Sequence, residues 1–133
     1  MTTTKKYLYA IGRRRTAVAR VRLFHGKGEN LVNGQPAVKY FPGLINQKLF
    51  FAPFETCNLL DKYYATIKVV GSGKLSQLQA CVHGLARALI KVKADFKPVL
   101  RARGFITRDP RTRQRRMVGT GGKSRRQKQS PKR

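Results

Sequence analysis

The sequence predicts an α+β domain, with helices packed on one face of a small sheet, and a long extended basic C-terminal tail. Two segments alternate apolar and polar residues with period two, and one long segment repeats its apolar residues at helical spacing. The last 27 positions then lose their apolar content while their charge climbs.

The first period-two segment spans residues 16–24. Ala17, Ala19, Val21 and Leu23 alternate with Val18, Arg20, Arg22 and Phe24, which describes a strand with arginines on the face away from the core. His25-Gly26-Lys27-Gly28 reads as a turn, and residues 29–32 as a short partner strand returning beside the first. Asn33-Gly34 marks a tight turn, because both residues tolerate positive φ. Pro36 opens a short helical turn to Phe41, closed by Pro42-Gly43. A helix is expected over residues 44–52, stopped by Pro53.

Residues 61–70 form the second strand, with Tyr63, Ala65, Ile67 and Val69 on one face. Gly71-Ser72-Gly73 breaks the chain before the longest helix, where Leu75, Leu78, Val82, Leu85, Leu89 and Val92 make an apolar stripe. Gln79, His83, Arg87 and Lys91 recur at spacing four and make a polar and basic column, which makes His83 a surface or interface residue. A last helix covers residues 95–103 and ends at Gly104.

The 133 residues suit one domain with an appendage, and an apolar share of 41% supports a small core. Thirty Lys and Arg against five Asp and Glu give a formal net charge of +25. Repulsion on that scale opposes compaction until a polyanion neutralises it, and nucleic acid is the leading candidate. Residues 1–106 hold 19 basic and 4 acidic side chains, whereas residues 107–133 hold 11 and 1. In the latter only Met117 and Val118 are sizeable apolar residues, too few to offset the entropy of ordering. The expectation is therefore a globular body, 1–106, and a tail, 107–133, that is disordered alone and ordered on a polyanion.

Other classes fall away. No run approaches the roughly 18 apolar residues of a membrane span. Residues 7–24 read as folded structure, which favours a mature cytoplasmic start over an organellar transit peptide. Cys57 and Cys81 suit two small apolar residues in a reducing compartment. His25 and His83 are too few and too separated for a metal site, and the five acids show no paired spacing for acid–base work. Gly71-Ser72-Gly73-Lys74 is no nucleotide-phosphate loop, because Lys68 and Leu75 stand where such a loop needs Gly and Ser or Thr. It reads as a hinge, with a minor role for its backbone N–H groups on RNA phosphate. No enzyme, no cofactor and no small-molecule substrate is expected. A histone-like DNA-binding protein would need dimer-forming helices and a minor-groove wedge, and neither is evident.

Four stretches carry more than composition does. They are Ile11-Gly12-Arg13-Arg14-Arg15-Thr16-Ala17-Val18-Ala19-Arg20-Val21; Leu31-Val32-Asn33-Gly34-Gln35-Pro36 with Tyr40-Phe41-Pro42; Gly71-Ser72-Gly73 with Gln77, Ala80 and His83-Gly84-Leu85-Ala86-Arg87-Ala88-Leu89; and Leu100-Arg101 to Gly104 with Thr107-Arg108-Asp109 and the terminal Lys132-Arg133. In this order they closely resemble the bacterial type of the small-subunit ribosomal protein S-nine family, over nearly the whole chain. Ser72, Ser76 and Gln114 depart from that pattern, as does Ser130-Pro131 where the family carries an aromatic and a serine.

The resemblance implies a two-layer ribosomal-protein fold with a left-handed β-α-β crossover. It also implies a place in the head of the small subunit, on 16S-type rRNA and beside neighbouring head proteins; with the cytoplasmic start read from residues 7–24, cytoplasmic ribosomes are expected ahead of organellar ones. The tail would thread through rRNA toward peptidyl-site tRNA, bringing Lys132 and Arg133 to the anticodon stem-loop. From the basic clusters the expected rRNA contacts are Arg13, Arg14, Arg15, Arg20, Arg22, Arg87, Arg108, Arg111, Arg113, Arg115, Arg116, Arg125 and Arg126.

Overall fold

The computed structural model describes residues 6–119. In chain order the elements are β1 (Tyr7–Arg14), β2 (Ala17–His25), β3 (Leu31–Val32), β4 (Gln35–Pro36), α1 (Ala37–Tyr40), α2 (Leu44–Thr56), β5 (Tyr63–Val70), α3 (Lys74–Val92) and α4 (Phe96–Ala102). The five strands form one sheet in the order β1-β2-β5-β3-β4, so the α+β expectation holds. β1–β2 and β2–β5 are antiparallel over eight residue pairs each; β3 and β5 are parallel and are joined through α1 and α2. That connection is a β-α-β unit.

The strand 61–70 and the helices beginning near 37, 74 and 96 lie where the sequence puts them, but four details differ. β1 escapes the hydrophobic alternation, because two of its inward positions are Gly12 and Arg14. The segment before Val32 does not pair with β2 as a hairpin. β5 takes that edge along its whole length, burying Ala65, Ile67 and Val69, and leaves β3 two pairs on the far side of β5. Asn33 lengthens this short pairing: its side-chain amide accepts from Val69 N at 2.8 Å and donates to Val69 O at 2.9 Å.

Pro53 does not stop α2, which runs on to Thr56. A proline removes one N–H from the ladder, and here burial of Pro53 and Phe54 offsets that loss. Finally, α3 is rotated about its axis relative to the leucine stripe. Leu75 is exposed, whereas Ala80, Gly84 and Ala88 are buried with Leu78, Cys81, Leu85 and Leu89. The cause is a close approach between α3 and β1. A Cβ at Gly12 would overlap the Ala80 carbonyl and lie 2.8 Å from Gly84 Cα. A Cβ at Gly84 would lie 3.0 Å from Gly12 N. Small residues let the helix sit directly on the strand, and that rotation carries His83 inward, so His83 is a buried residue and not the surface or interface residue its column suggested.

α3 covers β1, β2 and β5 on one face, and α2 and α4 pack on α3. Phe41, Phe50, Phe54, Leu85 and Leu100 fill the space between. Burial raises both thiols, Cys57 to about 11 and Cys81 further still, so neither is a nucleophile at neutral pH.

Candidate nucleic-acid interface

Among the described residues the second face of the sheet carries no helix, and the strand registers decide what it presents. Tyr7, Phe24 and Tyr64 cross it on one rung, then Tyr9, Arg22 and Thr66, then Ile11, Arg20 and Lys68, then Arg13, Val18 and Val70. Arg13, Arg20, Arg22 and Lys68 are exposed. Among the described residues the ion pairs involve only Asp95 and Asp109, so no carboxylate neutralises these four. An uncompensated cationic surface of this kind suits phosphate.

Arg15 occupies the two-residue turn between β1 and β2 with φ 53°, and its side chain points to solvent. Arg111 and Arg113 come up beside it, together with Arg14, around a surface concavity. The hairpin tip and the start of the basic segment are thereby brought together, although nearly a hundred residues separate them in sequence.

Arg14 differs from its neighbours. It is only 8% exposed, and its guanidinium donates to Gln79 Oε1 at 2.7 Å and to the Arg111 carbonyl at 2.9 Å, with Asp109 Oδ1 at 3.2 Å. Asp109 also accepts from the Arg111 guanidinium and backbone N–H, and these bonds hold its carboxyl well below the usual carboxylate range. Arg14 thus fastens residues 109–111 to the body, which its place in a basic run does not reveal.

His83 forms a second fastening. Arg13 N donates to Nδ1 at 3.2 Å, and Nε2 lies 3.0 Å from the Ile106 carbonyl. A backbone N–H can only donate and a carbonyl can only accept, so the imidazole is neutral with its proton on Nε2. Desolvation lowers its pKa; the hydrogen bond to Ile106 opposes this, and Arg87 and Arg108 add to the lowering. Phe105 and Ile106 pack on the core just before this point, while residues 107–117 have neither helix nor strand.

The remaining sequence candidates divide clearly. Arg87 is exposed on α3 and donates to the Ile11 carbonyl at 2.7 Å. Arg108, Arg111, Arg113, Arg115 and Arg116 are exposed along the C-terminal segment. Arg125, Arg126, Lys132 and Arg133, with the expectation for the tail beyond residue 119, lie outside the described residues.

Sequence reasoning left Lys68 out of the expected RNA contacts, although it belongs to the open face. The alternation of β5 puts Lys68 opposite Ile67 and Val69, and this signal could have found it. The Gly71-Ser72-Gly73 loop is held in place by side chains: Gln77 Nε2 donates to the Gly71 carbonyl at 3.1 Å, and Tyr40 OH donates to Gln77 Oε1 at 2.6 Å. Among the described residues no three His, Cys, Asp or Glu side chains converge as a metal site, and no helix is long and apolar enough to cross a membrane.

Known proteins resemble this chain over most of its length. The family described as Ribosomal protein S9/S16 matches residues 12–133. A protein of Lawsonia intracellularis named small ribosomal subunit protein uS9 is 42% identical over 114 residues, covering 86% of this chain and 88% of its own. The protein of the same name from Maridesulfovibrio salexigens is 38% identical over 119 residues, covering 90% and 92%. The Porphyromonas gingivalis protein is 42% identical over 113 residues, covering 85% and 88%.

Proposed function

The chain belongs to the ribosomal protein S9/S16 family, whose members are structural and non-enzymatic, and from that premise we propose that it holds folded small-subunit rRNA in place. It does so in the subunit head, within cytoplasmic ribosomes and beside neighbouring head proteins. A body of residues 1–106 contacts 16S-type rRNA phosphates, and a tail of residues 107–133 continues into the RNA. The observation that carries this is the open sheet face, where Arg13, Arg20, Arg22 and Lys68 are exposed without a carboxylate partner among the described residues. Arginine forks match phosphate oxygens, and each phosphate contact releases condensed counterions.

Arg15, Arg87, Arg108, Arg111, Arg113, Arg115, Arg116, Arg125 and Arg126 extend the contact surface. Arg14 contributes by aiming the tail, since its hydrogen bonds to Gln79 and the Arg111 carbonyl, with Asp109 beside it, leave it little freedom to reach outward. The parallel β3–β5 pair supports the β-α-β crossover, whose left-handed form is part of the same proposal. Lys132 and Arg133 act at the phosphates of the peptidyl-site tRNA anticodon stem-loop; a 27-residue segment spans about 90 Å when extended, which gives the tip reach beyond the body.

Co-sedimentation tests the rRNA role. RNase treatment of ribosomal particles is expected to release the protein, and DNase is not. Release by DNase alone would return the chain to the DNA-binding class.

A further inference from the structure

At the Tyr7 end of the open sheet face the cations give way to rings. Tyr7 packs on Phe24 with centroids 5.7 Å apart, and Phe24 stacks on Tyr64 at 5.2 Å and 15°. Gly28 lies close behind the Tyr64 ring. Phe24 and Tyr64 are half-buried, so the rings that a ligand meets first are Tyr7, 47% exposed, and Tyr9, 38% exposed. The Arg22 guanidinium sits 5.2 Å from the Tyr7 ring centroid, and Arg22 is the cross-strand partner of Tyr9 in the β1–β2 register.

A concavity of about 670 Å³ opens from Tyr9 across Arg22, Arg20, Thr66 and Lys68, with the Asn33-Gly34 turn at its rim. Arg20 and Arg22 are two residues apart on one strand, roughly 6.7 Å, comparable to the spacing of successive phosphates on an extended strand. Lys68 stands directly across from Arg20.

We propose that this shelf is a binding site for an unpaired RNA segment, with a base stacked on Tyr9 and the following phosphates on Arg22, Arg20 and Lys68. The proposal deepens the rRNA reading above and rests on it. A duplex keeps its base faces in its own stack and would offer the shelf only phosphates, leaving Tyr9 without a partner. A single strand can splay a base onto the ring while its backbone follows the cations. An acidic peptide would satisfy the cations but not the ring.

The test uses the full chain and fluorescence anisotropy with three probes: a labelled oligouridine, an RNA duplex of equal phosphate count, and a polyglutamate peptide of matching charge. Tyr9→Leu keeps an apolar strand residue and removes the ring, and Tyr9→Phe keeps the ring. Tyr9→Leu is expected to weaken oligouridine binding at least about fivefold, with an unchanged salt slope and unchanged duplex affinity. Tyr9→Phe is expected to bind like the wild type, and ultraviolet crosslinking of oligouridine is expected at Tyr9. Wild-type oligouridine binding by Tyr9→Leu, equal losses on all three probes, or polyglutamate binding as tight as oligouridine would each overturn the shelf. If oligouridine binding keeps its salt dependence but is indifferent to Tyr9, only the shelf fails. If the wild type binds neither RNA, the rRNA reading fails with it.

Discussion

Gly84, in the middle of α3, lies backbone to backbone against Gly12 in β1, and neither position has room for a methyl group. This contact sets the rotation of α3, and through it which residues face the sheet and where the C-terminal segment leaves the body. Gly12→Ala would push a Cβ into backbone atoms that cannot rotate away. We expect a loss of at least about 3 kcal/mol, measured by urea denaturation. Gly104→Ala, where an added Cβ would meet no described neighbour within 4 Å but φ is +78°, should cost about 1 kcal/mol.

Leu85→Asp and His83→Ala should both destabilise the body, by different amounts. Leu85 is fully buried, and an unpaired carboxylate there should unfold the protein. His83→Ala removes the partners of Arg13 N and the Ile106 carbonyl and should cost about 1–3 kcal/mol. Thermal denaturation separates the two; an unshifted midpoint for His83→Ala would contradict the buried imidazole.

The same histidine gives stability a pH dependence with a definite sign. Its folded pKa lies below the unfolded value of 6.5, so the unfolded chain binds the proton more readily. The contribution is full above about pH 6.5 and declines as pH falls below it. Denaturant midpoints between pH 7.5 and 5 should fall for the wild type and stay flatter for His83→Gln, a buffer range chosen to bracket the ordinary histidine value, roughly 6.5. A wild-type midpoint that rises on acidification would contradict the neutral tautomer.

Asp109, held by Arg14 and Arg111, fixes where the C-terminal segment leaves the body. Asp109→Asn should loosen residues 107–111 without unfolding the body, because Asp109 is bound through Arg14 and Arg111 at the surface. Hydrogen exchange at Arg111 N, which donates to Asp109, should accelerate while core amides stay protected. In the wild type this docking should survive mild acid and yield only below the ordinary carboxylate range, since the carboxyl is held low.

Much of this architecture was legible because burial and periodicity coincide in β2 and β5, where every second residue is apolar. It was illegible where backbone or polar groups do the packing. Nothing in the alternation marks Gly12 as a core position, yet it is in the strand because the helix needs its space. Arg14 reads as one of three equivalent surface cations, yet its partners Gln79, Asp109 and Arg111 are 65 to 97 positions away. His83 follows a four-residue polar column that the rotation of α3 splits between interior and surface. For the interface, Arg20 and Arg22 could be placed on an outward face from alternation alone; the grouping with Tyr9 and Lys68 needed the strand order.

Removal of Lys132 and Arg133 should leave small subunits assembling normally and weaken peptidyl-site tRNA binding several-fold, with the difference shrinking at high salt. Filter binding of tRNA to subunits reconstituted with the truncated protein reads this. Unchanged tRNA affinity beside defective assembly would reassign the pair to rRNA anchoring.

The most direct measurement is the salt dependence of full-chain binding to small-subunit head rRNA, for the wild type and for Arg13→Gln/Arg20→Gln/Arg22→Gln. Arg14 is left intact because it is buried and holds the fold. If the open face grips phosphate, the log–log slope should flatten by about 0.7 to 0.9 for each phosphate that the variant no longer neutralises, while the denaturation midpoint stays in place. A slope identical to the wild type's, with the fold intact, would contradict the central claim and make the open sheet face a solvated surface.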